Sequence, residues 1–271
     1  MKSILENNAA LTAQVNDIAE VAGYLWQRGW AERNGGNISV NITEYMDASA
    51  KSLPALATVK LPKTFTALAS NFFFVTGTGK RMRYVAIKPM ENGAIIRIDA
   101  TGDAYDIVAD NNIAPTSELP SHLSMHCYMR EVKGRNTKVV LHTHPTDLIA
   151  LTHNKKYLDS KELSYMLWSM IPETRIIVPL GVGIVPYEVP GTMDLANATI
   201  KQLEKHDTVM WEKHGCLAVG EDIIETFDMI DTLSKSAQIY LYAKQAGFEP
   251  EGMDKSQLDD LVPLFNLPVI E

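Results

Sequence analysis

The segment Leu141-His142-Thr143-His144-Pro145 carries the sharpest chemical signal in the sequence. It ends an apolar run that is typical of a buried strand, and alternate residues of a strand point to the same face of its sheet. His142 and His144 can therefore converge on one metal ion, and imidazole nitrogen is a ligand that zinc readily accepts. Two histidines at this spacing can equally have separate partners, so the prediction of a metal site depends on a third ligand.

His214 is the leading candidate for that third ligand. It stands where two predicted strand segments meet, and it precedes Gly215, where backbone crowding is low. Three histidines with one open coordination position are typical of catalytic zinc. Four other histidines stay open as alternatives: His122, His126, His153 and His206.

His122 and His126 lie four residues apart on a predicted helix and could also chelate a metal. They lack the acid of an HExxH motif, so we interpret them as polar residues of a helix face. The two cysteines, Cys127 and Cys216, are interpreted as small buried residues rather than ligands. Two cysteines are too few for a disulfide framework and favour a cytosolic protein.

Glu118 lies in the segment Pro115-Thr-Ser-Glu-Leu-Pro120, which has the composition of a helix start. A carboxylate in the first turn of a helix usually serves the helix dipole. The functional alternative is a general base beside the metal. Thr116 and Ser117, with the free NH groups of the helix start, would then form an anion site.

Two glycine turns, Asn34-Gly35-Gly36-Asn37 and Thr76-Gly77-Thr78-Gly79-Lys80, could also hold a phosphate. Glycine lets backbone NH groups approach an anion closely. Neither turn matches a Walker A or a G-x-G-x-x-G motif, and either could simply be a turn.

The charge balance excludes several classes of function. With 25 basic and 33 acidic residues the net charge is −8, which disfavours nucleic-acid binding and requires local donors for any anionic ligand. No uncharged apolar run reaches the ~18 residues of a transmembrane helix, and we expect no membrane association. The first residues lack the apolar core of a signal peptide, so a cytoplasmic location is expected.

The apolar periodicity predicts alternating strands and helices, and hence one α/β domain over residues 1–271. Helices are expected over 8–29, from 115–120 to about 129, and over 146–151, 194–206 and 223–246. Strands are expected at 38–40, 71–75, 93–98, 138–142, 175–178 and 183–185, with two more inside 208–219. Residues 43–70 are interpreted as a surface excursion.

Taken in order, five motifs resemble the class II aldolases of the aldolase/adducin type. They are N-G-G-N at 34–37, T-G-x-G-K at 76–80, P-T-S-E at 115–118, H-x-H-P at 142–145 and H-G at 214–215. The resemblance extends from about residue 10 to about 245. It is weak over 43–70 and after about 248, and Thr78 stands where serine is usual.

The resemblance implies a single domain with a central, mostly antiparallel β-sheet flanked by helices. It implies zinc-dependent, reversible retro-aldol cleavage of L-rhamnulose 1-phosphate to dihydroxyacetone phosphate and L-lactaldehyde, in rhamnose catabolism. It also implies a homotetramer with one Zn²⁺ per subunit and active sites near subunit interfaces.

Residue roles follow from the same resemblance. Zinc would be held by His142, His144 and His214, and Glu118 would be the catalytic acid/base. Glu173 would be a second acid that a neighbouring subunit presents to the aldehyde end. The substrate and its phosphate would be surrounded by Asn34, Gly36, Asn37, Thr78, Thr116 and Ser117.

Three rival functions are compatible with parts of the pattern. A sugar-phosphate 4-epimerase or another ketose-1-phosphate aldolase of the same superfamily would use the same metal and the same bond cleavage. A non-catalytic adducin-like interaction module would lack the metal histidines, which this chain has. A metallohydrolase would explain H-x-H but none of the phosphate turns.

Overall fold

A computed structural model describes residues 3–6 and 8–269 of the chain. Within those residues one continuous sheet contains nine strands, in the order β2-β5-β4-β3-β1-β6-β9-β8-β7. The strands are β1 (Asn37–Asn41), β2 (Ala57–Lys60), β3 (Phe72–Thr76), β4 (Gly93–Ile98), β5 (Ala104–Ile107), β6 (Val139–Thr143), β7 (Val182–Val185), β8 (Thr208–Trp211) and β9 (Gly215–Gly220). Neighbouring strands are antiparallel except for β7 and β8, which are parallel. The expected mostly antiparallel sheet is therefore confirmed.

Helices cover both faces of this sheet. They are α1 (Ala9–Gln27), α2 (Ala48–Lys51), α3 (Met82–Val85), α4 (Pro89–Asn92), α5 (Leu119–Glu131), α6 (Thr146–Leu151), α7 (Ser160–Met170), α8 (Pro172–Ile177), α9 (Met193–Leu203), α10 (Ile223–Gln245) and α11 (Lys255–Phe265). Short 3₁₀ turns occupy Thr43–Tyr45, Thr66–Leu68 and Lys155–Leu158. Among the described helices none combines the length and the apolar character that a membrane span needs.

The two sheet faces differ in what they bury. On β1, Ile38 and Val40 belong to the large core that α1 and α10 cover. Their neighbour Ser39 points to the opposite face, where its hydroxyl contacts histidines of α5. On β6, Val140 belongs to the core that α5 and α9 cover. The α5 side of β1 and β6 therefore carries the polar residues of interest, because side chains alternate along a strand.

One predicted strand is wrong. Residues 175–178 were expected to be extended, but Pro172–Ile177 forms α8. Pro172 at the first helical position favours a helix start, since its fixed φ suits a helix and its missing N–H costs nothing there. The helix packs against α7, α10 and α11, so tertiary contacts override the β preference of the Ile-Ile-Val run.

The segment 43–70 is also more than a surface excursion. It contains β2, which pairs with β5 at the edge of the sheet, and it buries Phe65 and Leu68 almost completely. The sequence pattern also missed β5, α7 and α11, whereas the strands at 93–98 and 183–185 and the helices at 146–151 and 223–246 match within a residue.

Candidate active site

Three histidines converge at one end of β6. His142 is buried near the end of that strand, His144 follows it, and His214 lies in the turn between β8 and β9. One ligand atom from each histidine lies within 4.8 Å of the other two. The predicted third ligand is thus brought to the predicted pair, through the antiparallel pairing of β6 with β9. This set of His142, His144 and His214 is called the triad below.

Outer partners orient two rings of the triad, those of His142 and His144, so that their Nε2 atoms face each other. Nδ1 of His142 donates to the carbonyl oxygen of Cys216 at 3.0 Å, and Nδ1 of His144 donates to a carboxylate oxygen of Glu32 at 2.7 Å. With one proton on each ring, both Nε2 atoms carry lone pairs, and these two atoms are only 3.2 Å apart. Facing lone pairs repel unless a cation lies between them. The donor set therefore fits a metal such as zinc.

Burial keeps His142 and His214 in the neutral form that binds metal. Burial, followed by the proximity of His144 and His214, holds the pKa of His142 well below its usual value. Burial and the proximity of His144 lower the pKa of His214 to about 4. Nδ1 of His214 is buried without a hydrogen-bond partner among the described residues. Neutral imidazoles are the metal-binding form, so these two rings need no proton release to bind a cation near neutral pH.

Two glycines allow the backbone to approach the triad. A Cβ on Gly215 would lie 2.7 Å from Cε1 of His142 and 2.9 Å from Cδ2 of His144, closer than such atoms can pack. Gly36 has a φ of +74°, and a Cβ there would lie 2.8 Å from the carbonyl oxygen of His142. Both glycines are thus required by the close packing around the histidines.

The predicted phosphate turns meet beside the triad. Gly77 forms a β-bridge with Pro115, and the amide of Thr116 donates to the carbonyl of Thr76 at 2.8 Å, which places two of the turns side by side. The third turn is joined by Ile38, whose amide donates to Oγ1 of Thr76 at 3.1 Å. All the predicted site residues except Glu173 line one cavity: Asn34, Gly36, Asn37, Thr78, Thr116, Ser117, Glu118, His142, His144 and His214.

Glu118 is the N-cap residue of α5, so the helix begins after it, whereas the sequence pattern places Glu118 inside the first turn. Its side chain makes no capping hydrogen bond. Instead, its Oε2 accepts a hydrogen bond from Nδ2 of Asn37 at 2.9 Å. The half-buried carboxylate therefore does not act as a helix cap, and it lines the cavity, where it can meet a ligand.

The amide of Asn37 is engaged on both sides. Besides the bond to Glu118, its Oδ1 accepts from Nε2 of His122. Asn37 is also the register partner of His142, so this amide lies next to the triad on the same sheet face. Asn34, Thr78 and Ser117 are exposed at the cavity mouth and can reach a ligand directly.

The other histidines lie apart from the triad. His122 and His126 are buried on α5 and bond to Ser39, so they do not form the helix-borne metal pair that their spacing allowed. Nδ1 of His206 bonds to the carbonyl of Leu180, and His153 is exposed.

The two cysteines also lie outside the described metal-binding cluster. Cys216 is buried as expected, and burial raises its pKa. Cys127 is only half-buried, and burial followed by a hydrogen bond to Glu131 raises its pKa to about 11. Neither thiol is therefore poised to act as a thiolate near neutral pH.

Glu173 is not brought to the triad within this chain. It is exposed in the first turn of α8 and lines a different cavity, with Arg28, Asp231 and Lys235. Glu173 is therefore the one predicted site residue that does not share the cavity of the triad.

Two contributions were missed by sequence reasoning. Lys80 lines the cavity and adds a positive charge to it, and its place at the end of the T-G-T-G-K turn was the available signal. Glu32 orients His144 through the hydrogen bond to Nδ1 of that ring, although Glu32 belongs to none of the predicted motifs. No local pattern could reveal that contact, because it joins residues 112 positions apart.

The model of the family described as "Class II Aldolase and Adducin N-terminal domain" matches residues 16–241 of the chain. A rhamnulose-1-phosphate aldolase from Bacteroides thetaiotaomicron is 52% identical over 271 residues, covering 99% of this chain and 100% of that protein. A rhamnulose-1-phosphate aldolase from Mannheimia succiniciproducens is 35% identical over 247 residues, or 90% of each chain.

A solved structure supports the same relationship. The sugar-phosphate aldolase from Thermotoga maritima superposes with a TM-score of 0.75 at 29% identity, covering 89% of this chain and 98% of that chain. The likeness therefore extends over most of the fold.

Proposed function

The chain belongs to the class II aldolase and adducin family, and on that premise we propose that it catalyses the reversible cleavage of L-rhamnulose 1-phosphate to dihydroxyacetone phosphate and L-lactaldehyde. The observation that carries the proposal is the convergence of the triad, Glu118 and three polar turns on one cavity. The likeness to rhamnulose-1-phosphate aldolases over nearly the whole chain supports the identity of the substrate.

His142, His144 and His214 would hold the metal, which we propose to be one zinc ion per subunit. When bound, zinc acts as a Lewis acid and stabilises the negative charge that forms on the ketone oxygen, which lowers the activation free energy by several kcal/mol. The contacts of His142 with Cys216 and of His144 with Glu32 hold those two rings in the orientation in which they would bind the ion.

Glu118 would manage the protons of the reaction. Its carboxylate takes the proton of the C4 hydroxyl, the C3–C4 bond breaks, and the C4 carbonyl of lactaldehyde forms. The electron pair of the broken bond remains on the three-carbon fragment as an enediolate. Glu118 then returns a proton to C3 and completes dihydroxyacetone phosphate. No lysine Schiff base is needed.

The phosphate would be held at the cavity mouth by Asn34, Thr78, Thr116 and Ser117, with Gly36 lining the site. Asn37 stays a predicted phosphate contact through its backbone, because its side-chain amide bonds to Glu118 and His122. The exposed hydroxyls and the N-terminus of α5 suit an anion in a chain of net charge −8.

We extend the proposal to a homotetramer in which Glu173 of a neighbouring subunit faces the aldehyde end of the substrate. Its exposed position in α8, apart from the triad, supports a role across subunits. Sedimentation should give a tetramer, and mixing inactive Glu118→Gln and Glu173→Gln subunits should restore part of the activity. Mixtures as inactive as their components would contradict this arrangement.

The test of the proposed function is product analysis on a panel of sugars. L-Rhamnulose 1-phosphate, L-fuculose 1-phosphate and unphosphorylated L-rhamnulose are incubated with the zinc-loaded enzyme, and products are identified by NMR. We expect L-rhamnulose 1-phosphate to be cleaved fastest, with dihydroxyacetone phosphate and lactaldehyde in equal amounts. A C4 epimer without free dihydroxyacetone phosphate would instead indicate an epimerase, and equal turnover of L-rhamnulose and its phosphate would contradict the phosphate site.

A further inference from the structure

A chain of hydrogen bonds leads from the cavity into the protein interior. Glu118 Oε2 bonds to Nδ2 of Asn37 at 2.9 Å, and Oδ1 of Asn37 bonds to Nε2 of His122. Nδ1 of His122 bonds to Oγ of Ser39 at 2.8 Å, and the same oxygen bonds to Nε2 of His126 at 2.9 Å. This chain of five residues is called the buried network below.

The direction of each bond in the buried network is fixed from its cavity end. An ionised carboxylate only accepts, so Asn37 must turn its NH₂ to Glu118 and its carbonyl oxygen to His122. Nε2 of His122 must then carry the proton, and Nδ1 accepts from the hydroxyl of Ser39. Because the hydroxyl proton of Ser39 is used in that bond, its Oγ accepts a second hydrogen bond from Nε2 of His126.

Burial supports this single arrangement of protons. Ser39 is fully buried, and His122 and His126 are 1% and 2% exposed. Burial, followed by the proximity of His126, lowers the pKa of His122 to about 3. Burial likewise lowers the pKa of His126 to about 3. Each ring therefore carries one proton near neutral pH. No second proton binds to either ring there, so the order of donors and acceptors in the buried network stays the same.

We propose that His122 and Ser39, backed by His126, are positioning residues that hold the Asn37 amide in the one orientation that donates to Glu118. The proposal rests on the proposed function in taking Glu118 as the acid/base. It assigns a role to a buried polar cluster that neither the triad nor the phosphate turns require.

The need for such support follows from how Glu118 is held. Its side chain does not cap α5, and within the described residues the Asn37 amide is its hydrogen-bond partner. A terminal amide can rotate by half a turn, which would set its oxygen against the carboxylate. The Nε2 proton of His122 penalises that rotation, because a donor would then face a donor. If Glu118 is displaced from its position, kcat falls because proton transfer becomes slower, whereas substrate binding is retained.

The test uses two substitutions of His122 that differ in which ring nitrogen they replace. His122→Gln puts an amide NH₂ near the place of Nε2 and can still donate to Asn37. His122→Asn puts its amide near the place of Nδ1 and can bond only to Ser39. Both variants are polar and smaller than histidine, so each serves as the control for the other.

Two activities are measured on the zinc-loaded variants. The first is kcat and KM for sugar-phosphate cleavage. The second is deuterium exchange at C3 of dihydroxyacetone phosphate, which reports proton transfer without any aldehyde. For His122→Asn we expect kcat and the exchange rate to fall about 10- to 100-fold, with KM within about threefold of wild type. His122→Gln should keep both rates within about fivefold of wild type, since it can still donate to Asn37. Equal losses in the two variants would overturn the proposal.

Ser39→Ala and a spectroscopic readout cover the case in which His122→Asn does not fold. We expect Ser39→Ala to lower the exchange rate by about two- to tenfold, the range of one net hydrogen bond, and an unchanged rate would overturn the proposal. In wild type, ¹⁵N NMR of the histidine rings should show His122 protonated at Nε2. Protonation at Nδ1 would overturn the proposed positioning role, whatever the activity of the enzyme. Inactivity on every sugar phosphate would overturn only the proposed function.

Discussion

Two groups of histidines lie on the same face of the sheet and differ in what their nitrogens face. In the triad, Nε2 atoms of His142 and His144 point at each other across 3.2 Å. In the buried network, ring nitrogens of His122 and His126 point at the hydroxyl of Ser39. Histidine content and close spacing in sequence therefore do not identify a metal site. The site is identified by lone pairs that converge without a proton between them.

The strongest test of this difference between the two groups is to replace one histidine in each of them. His142→Ala should lose both bound zinc and at least about a thousandfold in activity, since metal stabilisation amounts to several kcal/mol. His126→Gln should keep about one zinc per subunit, because its ring lies outside the triad. Metal content by mass spectrometry and cleavage rates check both. Zinc loss in His126→Gln with retention in His142→Ala would reverse the assignment.

A second substitution separates proton transfer from metal binding. Glu118→Gln keeps the size of the side chain but cannot take a proton, so kcat should fall about 10²- to 10⁴-fold. Zinc content and substrate affinity should persist, because the triad and the cavity mouth are untouched. Were the Gln variant to keep more than about a tenth of wild-type kcat, Glu118 would not be the base.

Glu32 provides the complementary case, in which metal affinity changes and the base does not. Glu32→Gln weakens the hold on Nδ1 of His144, and we expect zinc affinity to fall about 10- to 100-fold. With saturating zinc, kcat should return close to wild type. Competition with a chromogenic chelator measures the affinity. An unchanged zinc affinity would show that the contact with His144 is incidental.

The effect expected to be smallest at each step concerns stability at low pH, where a change of one pH unit alters the free energy of unfolding only slightly. The folded-state pKa of His126 is lowered to about 3 from an ordinary value of 6.5, so the unfolded chain binds a proton first as pH falls. The neutral His126 ring therefore makes its full contribution to the free energy of unfolding above about pH 6.5. This contribution is lost progressively as the pH falls to about 3. Urea unfolding of wild type should therefore lose stability more steeply between about pH 6 and pH 3 than unfolding of His126→Gln, by about 1 kcal/mol per pH unit. Parallel pH profiles would contradict the buried, neutral state of this ring.

Local patterns were enough to single out His142 and His144 and to make His214 the leading candidate among the possible third ligands. The i, i+2 spacing of His142 and His144 on a strand and the strand break at His214 are local features, and the structure brings all three residues together. The turns at 34–37, 76–80 and 115–118 were also visible, because glycine and hydroxyl residues mark them in the sequence.

The buried network was out of reach of the sequence. His122 contacts Ser39 across 83 residues, and only the packing of α5 on β1 creates that contact. The spacing of His122 and His126 suggested a polar helix face, whereas both rings are buried. The same limit explains the wrong strand at 175–178, where packing against α7, α10 and α11 overrides local β preference.

The central claim is that a metal held by the triad makes the retro-aldol reaction possible. The most direct measurement is the initial rate of dihydroxyacetone phosphate release from L-rhamnulose 1-phosphate, before chelation, after chelation and after zinc is restored. We predict that chelation abolishes the rate, that stoichiometric zinc restores it, and that borohydride with substrate traps no lysine adduct. A chelated enzyme that cleaves at the original rate, or a trapped lysine adduct, would contradict the account.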